Sequence, residues 1–110
     1  MRRVVTTTMC PADGREWITR GCFLERNRGV LTVYGHQKML TDLEVKLLDC
    51  LRSAGTSGVT VWDLMEAGWG SLPNVSPATV RRRLARMQRI VQLGKCLHHR
   101  AGGGWYWDVL

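Results

Sequence analysis

The sequence predicts an α+β fold in which a three-helix core follows a small antiparallel sheet and precedes a C-terminal β-hairpin. Three observations carry this expectation. Three segments open on residues that cap helices, Thr41, Thr60 and Ser76. Short β-favouring runs broken by turn residues lie before them, and an aromatic run behind three consecutive glycines lies after them. With 110 residues, 45% of them hydrophobic, the chain has material for one modest core and one domain.

The elements follow in order. Residues 1–19 mix Thr, Pro, Asp and Gly with scattered charge and show no period, which predicts a poorly ordered leader ahead of a single domain over 20–110. Trp17 and Ile18 are its only strong apolar pair and could dock it or begin a first strand. From Cys22 the texture changes. Cys22-Phe23-Leu24-Glu25 and Val30-Leu31-Thr32-Val33-Tyr34 flank the turn Arg26-Asn27-Arg28-Gly29, and a second turn at Gly35-His36 leads to Lys38-Met39-Leu40. Three short antiparallel strands are the economical reading.

Thr41 and Glu44 have the spacing at which each side chain satisfies the other's free backbone N–H, so a helix begins there. Leu43, Leu47, Leu48 and Leu51 give it one apolar stripe, and Ser53-Ala54-Gly55 ends it. Thr60 and Asp63 repeat the logic before Val61, Trp62, Leu64 and Met65, a helix that stops near Gly68. Gly70-Ser71-Leu72-Pro73-Asn74-Val75 is a loop. Ser76-Pro77 then supplies an N-cap and a proline at the first helical position, opening a third helix expected to run to Val91.

The third helix carries the functional signal. At about 100° per residue, Val80, Leu84, Met87 and Val91 fall in one narrow arc. Ala78, Arg82, Ala85, Arg86 and Arg89 centre on the opposite side, with Arg81 and Arg83 flanking. One side is built to pack and the other presents guanidinium groups beside small residues. A merely solvated helix face usually mixes Glu with Lys or Arg, yet no acid occurs between Ser76 and Val91.

The net charge of +7 is distributed the same way. Met1 to Tyr34 holds six basic and three acidic residues, Gly35 to Val75 three and five, and Ser76 to Leu110 seven and one. Cationic charge packed into one helix and one hairpin is the footprint of a polyanion partner, of which nucleic acid is the commonest. Arginine forks bind phosphate oxygens and guanine edges bidentately, which suits them to this task.

The tail from Lys95 to Val109 reads as strand, glycine turn, strand. Trp105 and Trp107 alternate with Tyr106, so both indoles can face the core. The cysteines, Cys10, Cys22, Cys50 and Cys96, have no paired C-x-x-C spacing, and the start of the chain lacks the apolar region of a secretory signal. Reduced thiols are expected. A zinc site from Cys10, Cys22, Cys96, His98 and His99 lacks close ligand pairs, so no metal and no cofactor is expected. No stretch approaches the roughly 18 apolar residues of a membrane span. No nucleophile is paired with a base and no phosphate-cradling G-x-x-x-x-G-K occurs, so the expected role is not enzymatic.

Three helices with a basic third, followed by a hairpin, resemble the winged helix-turn-helix. The strands ahead of the first helix narrow the resemblance to the OmpR-type effector domains of bacterial response regulators. Leu40-Thr41-x-x-Glu44-x-x-Leu47-Leu48-x-x-Leu51 is similar to that family's L-T-x-x-E-x-x-L-L-x-x-L opening, and Leu64 with Trp69-Gly70 resembles the end of its second helix. Thr79-Val80-x-x-x-Leu84-x-x-Met87 resembles its recognition helix, and Gly102-x-Gly104-Trp105 its wing motif. The chain departs from the family at Met87-Gln88, where a Leu-Arg pair is usual, and at Arg100-Ala101-Gly102, where Ala101 breaks an Arg-Gly pair. No receiver domain is expected ahead of the sheet.

The resemblance implies a DNA-binding transcription regulator, with the helix over 76–91 in the major groove and the wing over 96–109 on the backbone. Arg81, Arg82, Arg83, Arg86 and Arg89 would contact bases and phosphates, Ser76 and Thr79 would hold the helix start against the backbone, and His98, His99 and Arg100 would serve the wing. The loop from Trp69 to Val75 lies where such regulators touch RNA polymerase. Two half-sites are common in this class, which implies a homodimer on double-stranded DNA, in the cytoplasm and on the nucleoid. The competing reading is a protein-interaction module that uses the same fold to dock on polymerase or a replication protein.

Overall fold

In a computed structural model the described residues are 9–10, 15–70, 74–101 and 103–109. Five antiparallel strands come first, β1 (Met9–Cys10), β2 (Arg15–Thr19), β3 (Cys22–Glu25), β4 (Val30–Val33) and β5 (His36–Met39), paired in chain order into one sheet. Three helices follow, α1 (Asp42–Ala54), α2 (Val61–Trp69) and α3 (Pro77–Gln88), with a 3₁₀ turn at Gly55–Ser57. A short helix α4 (Val91–Cys96) leads into a hairpin of β6 (Leu97–His99) and β7 (Trp105–Trp107). This is the α+β architecture expected from the sequence.

The helix starts form as their residue types dictate. Thr41 and Glu44 close a capping box on α1, Thr60 and Asp63 close one on α2, and the Ser76 hydroxyl accepts from the Thr79 N–H with Pro77 in the first turn of α3. The apolar faces these helices expose meet in one core. Leu47, Leu48 and Leu51 of α1, Leu64 of α2, and Val80, Leu84 and Met87 of α3 pack with Ile18, Leu24 and Leu31 of the sheet and with Trp105 and Trp107 of the hairpin. The alternating tryptophans of β7 are therefore core residues. Val59 adds a third strand segment beside β7, exchanging two backbone hydrogen bonds of 2.8 Å with Trp105.

Three expectations need correction. The poorly ordered leader over 1–19 gives way to strand, because Met9–Cys10 and Arg15–Thr19 both belong to the sheet, with Ile18 and Thr19 buried. The rest of that leader, at 1–8 and 11–14, lies outside the described residues, as do 71–73 of the loop after α2 and Gly102 of the glycine turn. The third helix ends at Gln88 and not at Val91. The chain turns at Arg89 and Ile90, where ψ changes from −14° to 121°, and Val91, expected in the buried arc, is 62% exposed. Residues 95 and 96, expected to begin the hairpin strand, close α4 instead.

The tight elbow between α3 and α4 depends on Gly94. A Cβ at that position would lie 2.1 Å from the Gln88 carbonyl oxygen, a backbone atom that cannot swing aside. Gln88 also ties the elbow to the hairpin, its Nε2 donating to the Leu97 carbonyl at 3.1 Å. Gly94→Ala is expected to cost about 1–3 kcal/mol through overpacking, read as a lower urea midpoint with an unchanged slope.

Ion pairs fasten the sheet to α1. Glu16, on the inward side of β2, receives Arg52 of α1 at 2.5 Å and Arg26 of the β3–β4 turn at 2.8 Å, and Arg26 reaches on to Asp49 at 2.8 Å. Burial would raise the Glu16 pKa, but the hydrogen bonds and charges of Arg52 and Arg26 outweigh it and hold the carboxyl below its ordinary value.

Candidate nucleic-acid interface

Helix α3 has the two faces the sequence assigned to it along its actual length. Val80, Leu84 and Met87 have no solvent exposure, whereas Ala78, Arg81, Arg82, Arg86 and Arg89 are exposed and Arg83 is half-buried. Thr79 is the polar hub of the helix start. Its hydroxyl lies 3.2 Å from that of Ser76 and accepts from the Arg82 guanidinium at 3.3 Å, so Arg82 is steered along the first turns.

Arg86 is different, and here the expectation of an unneutralised arginine set needs correction. Its guanidinium is bound to the Glu44 carboxylate of α1, and it also donates to the Met39 carbonyl at 3.4 Å. Glu44 has no solvent exposure and divides its two oxygens: Oε1 accepts from the Thr41 N–H and hydroxyl, while Oε2 takes Arg86. Burial would raise the Glu44 pKa, but the Arg86 and Thr41 hydrogen bonds and the guanidinium charge hold it below the usual carboxylate value. Arg86 thus clamps α3 to α1. The capping role read for Glu44 uses only one of its oxygens, and the free oxygen is the signal for a second partner.

The charge balance of the whole molecule sharpens what remains. Among the described residues, carboxylates go to Arg26, Arg28, Arg52 and Arg86. Arg81, Arg82, Arg83 and Arg89 of α3 and its C-terminal turn have no acidic partner there. Such a surface offers bidentate donors with no carboxylate acceptor among the described residues, in a fold that holds the helix by its opposite side.

The hairpin presents a more occupied set. His98 stacks on Tyr106 with ring centroids 4.9 Å apart, and His99 sits at 4.7 Å from Trp105. Arg100 lies over the Tyr106 ring at 4.9 Å and donates to the carbonyls of Ser57 at 3.1 Å and Thr56 at 2.6 Å. Its first job is therefore to tie the hairpin to the 3₁₀ turn after α1. Among the described residues its charge has no carboxylate partner, but several of its donors are engaged.

Among the described residues the cysteines give no second site. Cys22 and Cys96 have no exposure and carry no disulfide. Burial, reinforced by the neighbouring Cys96 thiol, pushes the Cys22 pKa up to about 12, far from a reactive thiolate. Among the described residues no group of three or more His, Cys, Asp or Glu side chains is placed to hold a metal ion, and no helix is long and apolar enough to cross a membrane. The Cys10 side chain lies outside the described residues.

No protein-family model matches the sequence, and comparison with curated proteins finds no match. Solved structures do match. The chain is similar to the C-terminal domain of the nisin resistance regulator NsrR, a lantibiotic response regulator, at 24% identity and a TM-score of 0.66, over 82% of this chain and 94% of that one. It is also similar to the DNA-binding domain of E. coli CadC at 12% identity and a TM-score of 0.71, over 82% of this chain and 88% of that one. At these identities the likeness is one of fold, and it gives the chain the α+β winged helix-turn-helix architecture that the sequence pattern resembles.

Proposed function

We propose that the chain is a DNA-binding transcription regulator, with α3 as the helix that enters the major groove and the β6–β7 hairpin as a wing against the backbone. The observation that carries this reading is the run of arginines at 81, 82, 83 and 89 with no carboxylate partner among the described residues, on a helix whose other face is core. The same fold in a domain that binds DNA, that of CadC, supports it by analogy. Ser76 and Thr79 place the α3 start near phosphate, and His98, His99 and Arg100 supply the wing. Two copies on adjacent half-sites, and contact with RNA polymerase through the loop from Trp69 to Val75, extend the reading, in a cytoplasmic protein without catalytic activity.

Selection of bound duplexes from a random pool tests it. One sequence family is expected to be enriched, bound about 10³-fold or more above random duplex, with affinity falling steeply with salt. Binding of all duplexes alike would replace the regulator with an architectural role. Absence of duplex binding would favour the protein-interaction module.

A further inference from the structure

Among the described residues the sheet ends at β5, and all four residues of His36–Met39 are exposed. The Leu40 N–H donates to the Gly29 carbonyl at 2.8 Å, and Val33 pairs with His36 across a two-residue turn. Bonded positions alternate along an antiparallel ladder, so His36, Lys38 and Leu40 turn their main-chain groups toward β4 while Gln37 and Met39 turn theirs away. Arg86 bears out this direction by donating to the Met39 carbonyl at 3.4 Å from α3. Among the described residues no strand takes up the N–H and C=O of Gln37. Such an edge is a template for one more strand.

Beside this edge runs a groove. Two hollows of about 320 and 220 Å³ share Lys38, Ile90 and Val91, the first extending to Met39 and Arg89 and the second to Tyr34. Tyr34, Met39 and Val91 are three of the six large hydrophobic side chains left exposed among the described residues. Single exposed apolar side chains are ordinary, but three converging on one strand edge mark an interaction surface. The charge there is one-sided. Among the described residues no acid lines either hollow, and Lys38 and Arg89 have no carboxylate partner. Arg86, already held by Glu44, adds no unpaired charge.

We propose that the groove along β5 docks an extended segment of a partner protein, rich in acidic and apolar side chains, as a further strand of the sheet. Its main chain exchanges hydrogen bonds with Gln37, its apolar side chains fill the hollows against Met39, Ile90 and Val91, and its carboxylates meet Lys38 and Arg89. A nucleic acid would use the cations, but its phosphates gain nothing from aliphatic walls. A second copy of β5, His36-Gln37-Lys38-Met39, carries no acid, and a lysine on an edge strand is a usual guard against self-pairing. The same lysine that rejects a cationic strand admits an acidic one. The site shares only Arg89 with the α3 arginine set proposed to bind duplex.

The test is an NMR titration of the ¹⁵N-labelled full chain with two synthetic octapeptides of glutamate and valine in equal number, one alternating and one with the residues in pairs. With at least one of them, saturable shifts are expected at Gln37, Lys38, Met39 and Val91, together with slowed solvent exchange of the Gln37 amide. Lysine in place of glutamate should weaken binding about tenfold or more, and serine in place of valine, or N-methylation of the peptide main chain, severalfold. K38A should weaken it about two- to fivefold, the worth of an exposed ion pair. V91E, which sets a negative charge on the exposed wall, should weaken it about tenfold or more, and both variants should keep the spectral dispersion of the parent. Lys38 and Val91 lie outside the α3 arginine set, so their result stands whatever duplex binding shows. Absence of saturation, equal binding of the lysine peptides, or binding untouched by K38A and V91E together overturns the proposal. Shifts of the same amides with a random-sequence duplex but not with peptide would overturn it in favour of nucleic acid, and shifts with protein concentration alone in favour of a second copy.

Discussion

Changing Arg81, Arg82 and Arg89 together to alanine is expected to weaken duplex binding by about three orders of magnitude while leaving the fold intact. All three side chains are exposed, and among the described residues none has a carboxylate partner whose loss would destabilise the native state. An arginine that reads a base is worth about 1–3 kcal/mol, and each one neutralising a phosphate contributes close to one unit to the slope of log affinity against log salt. Fluorescence anisotropy across a salt series should show both the loss and a slope shallower by up to about three. Unchanged affinity would remove the arginine face from the mechanism and favour docking on a protein partner.

Arg86→Ala is expected to act on stability, with a cost of about 3 kcal/mol in urea unfolding at neutral pH. Removing one member of a buried pair typically costs 3–5 kcal/mol because the remaining charge is stranded, and the half-exposed Arg86 places this case at the lower end. The acid dependence gives an independent check. The folded-state pKa of Glu44 lies below its ordinary 4.5, so its stabilisation is complete above that value and is lost as pH falls through the lowered one. The deficit of Arg86→Ala should therefore shrink as acid protonates Glu44. Glu44→Gln should lose stability less steeply below pH 4.5 than the parent, with the slope due to Glu16 still present. A deficit in Arg86→Ala that is independent of pH would show that the pair does not clamp α3.

The parts of the fold legible in the sequence were those specified locally. Thr41 with Glu44, Thr60 with Asp63, and Ser76 before Pro77 each set a helix start within four residues, and the structure uses all three. β2 was harder to read because its pattern is inverted: Glu16 points inward to meet Arg52 while Trp17 is partly exposed, so hydropathy does not alternate as a half-buried strand normally does. The end of α3 was hidden for another reason. The apolar period runs on past Gln88 into Val91, and the elbow that follows is one only a glycine at 94 accommodates against Gln88, a contact with no signature in hydropathy. In the candidate interface, the two faces of α3 could be read from periodicity, but the neutralisation of Arg86 comes from a residue 42 positions away. Pairing at that separation is a property of the assembled core.

The position of Glu16 settles where this domain can be cut. A fragment beginning at Arg20 would look like a tidy removal of a tail, yet it would discard Ile18 from the interior and orphan the guanidinium of Arg52 against the exposed underside of the sheet. Trimming from the N-terminus should stop short of Arg15, since the residues from there onward are structural timber shared by both halves of the molecule.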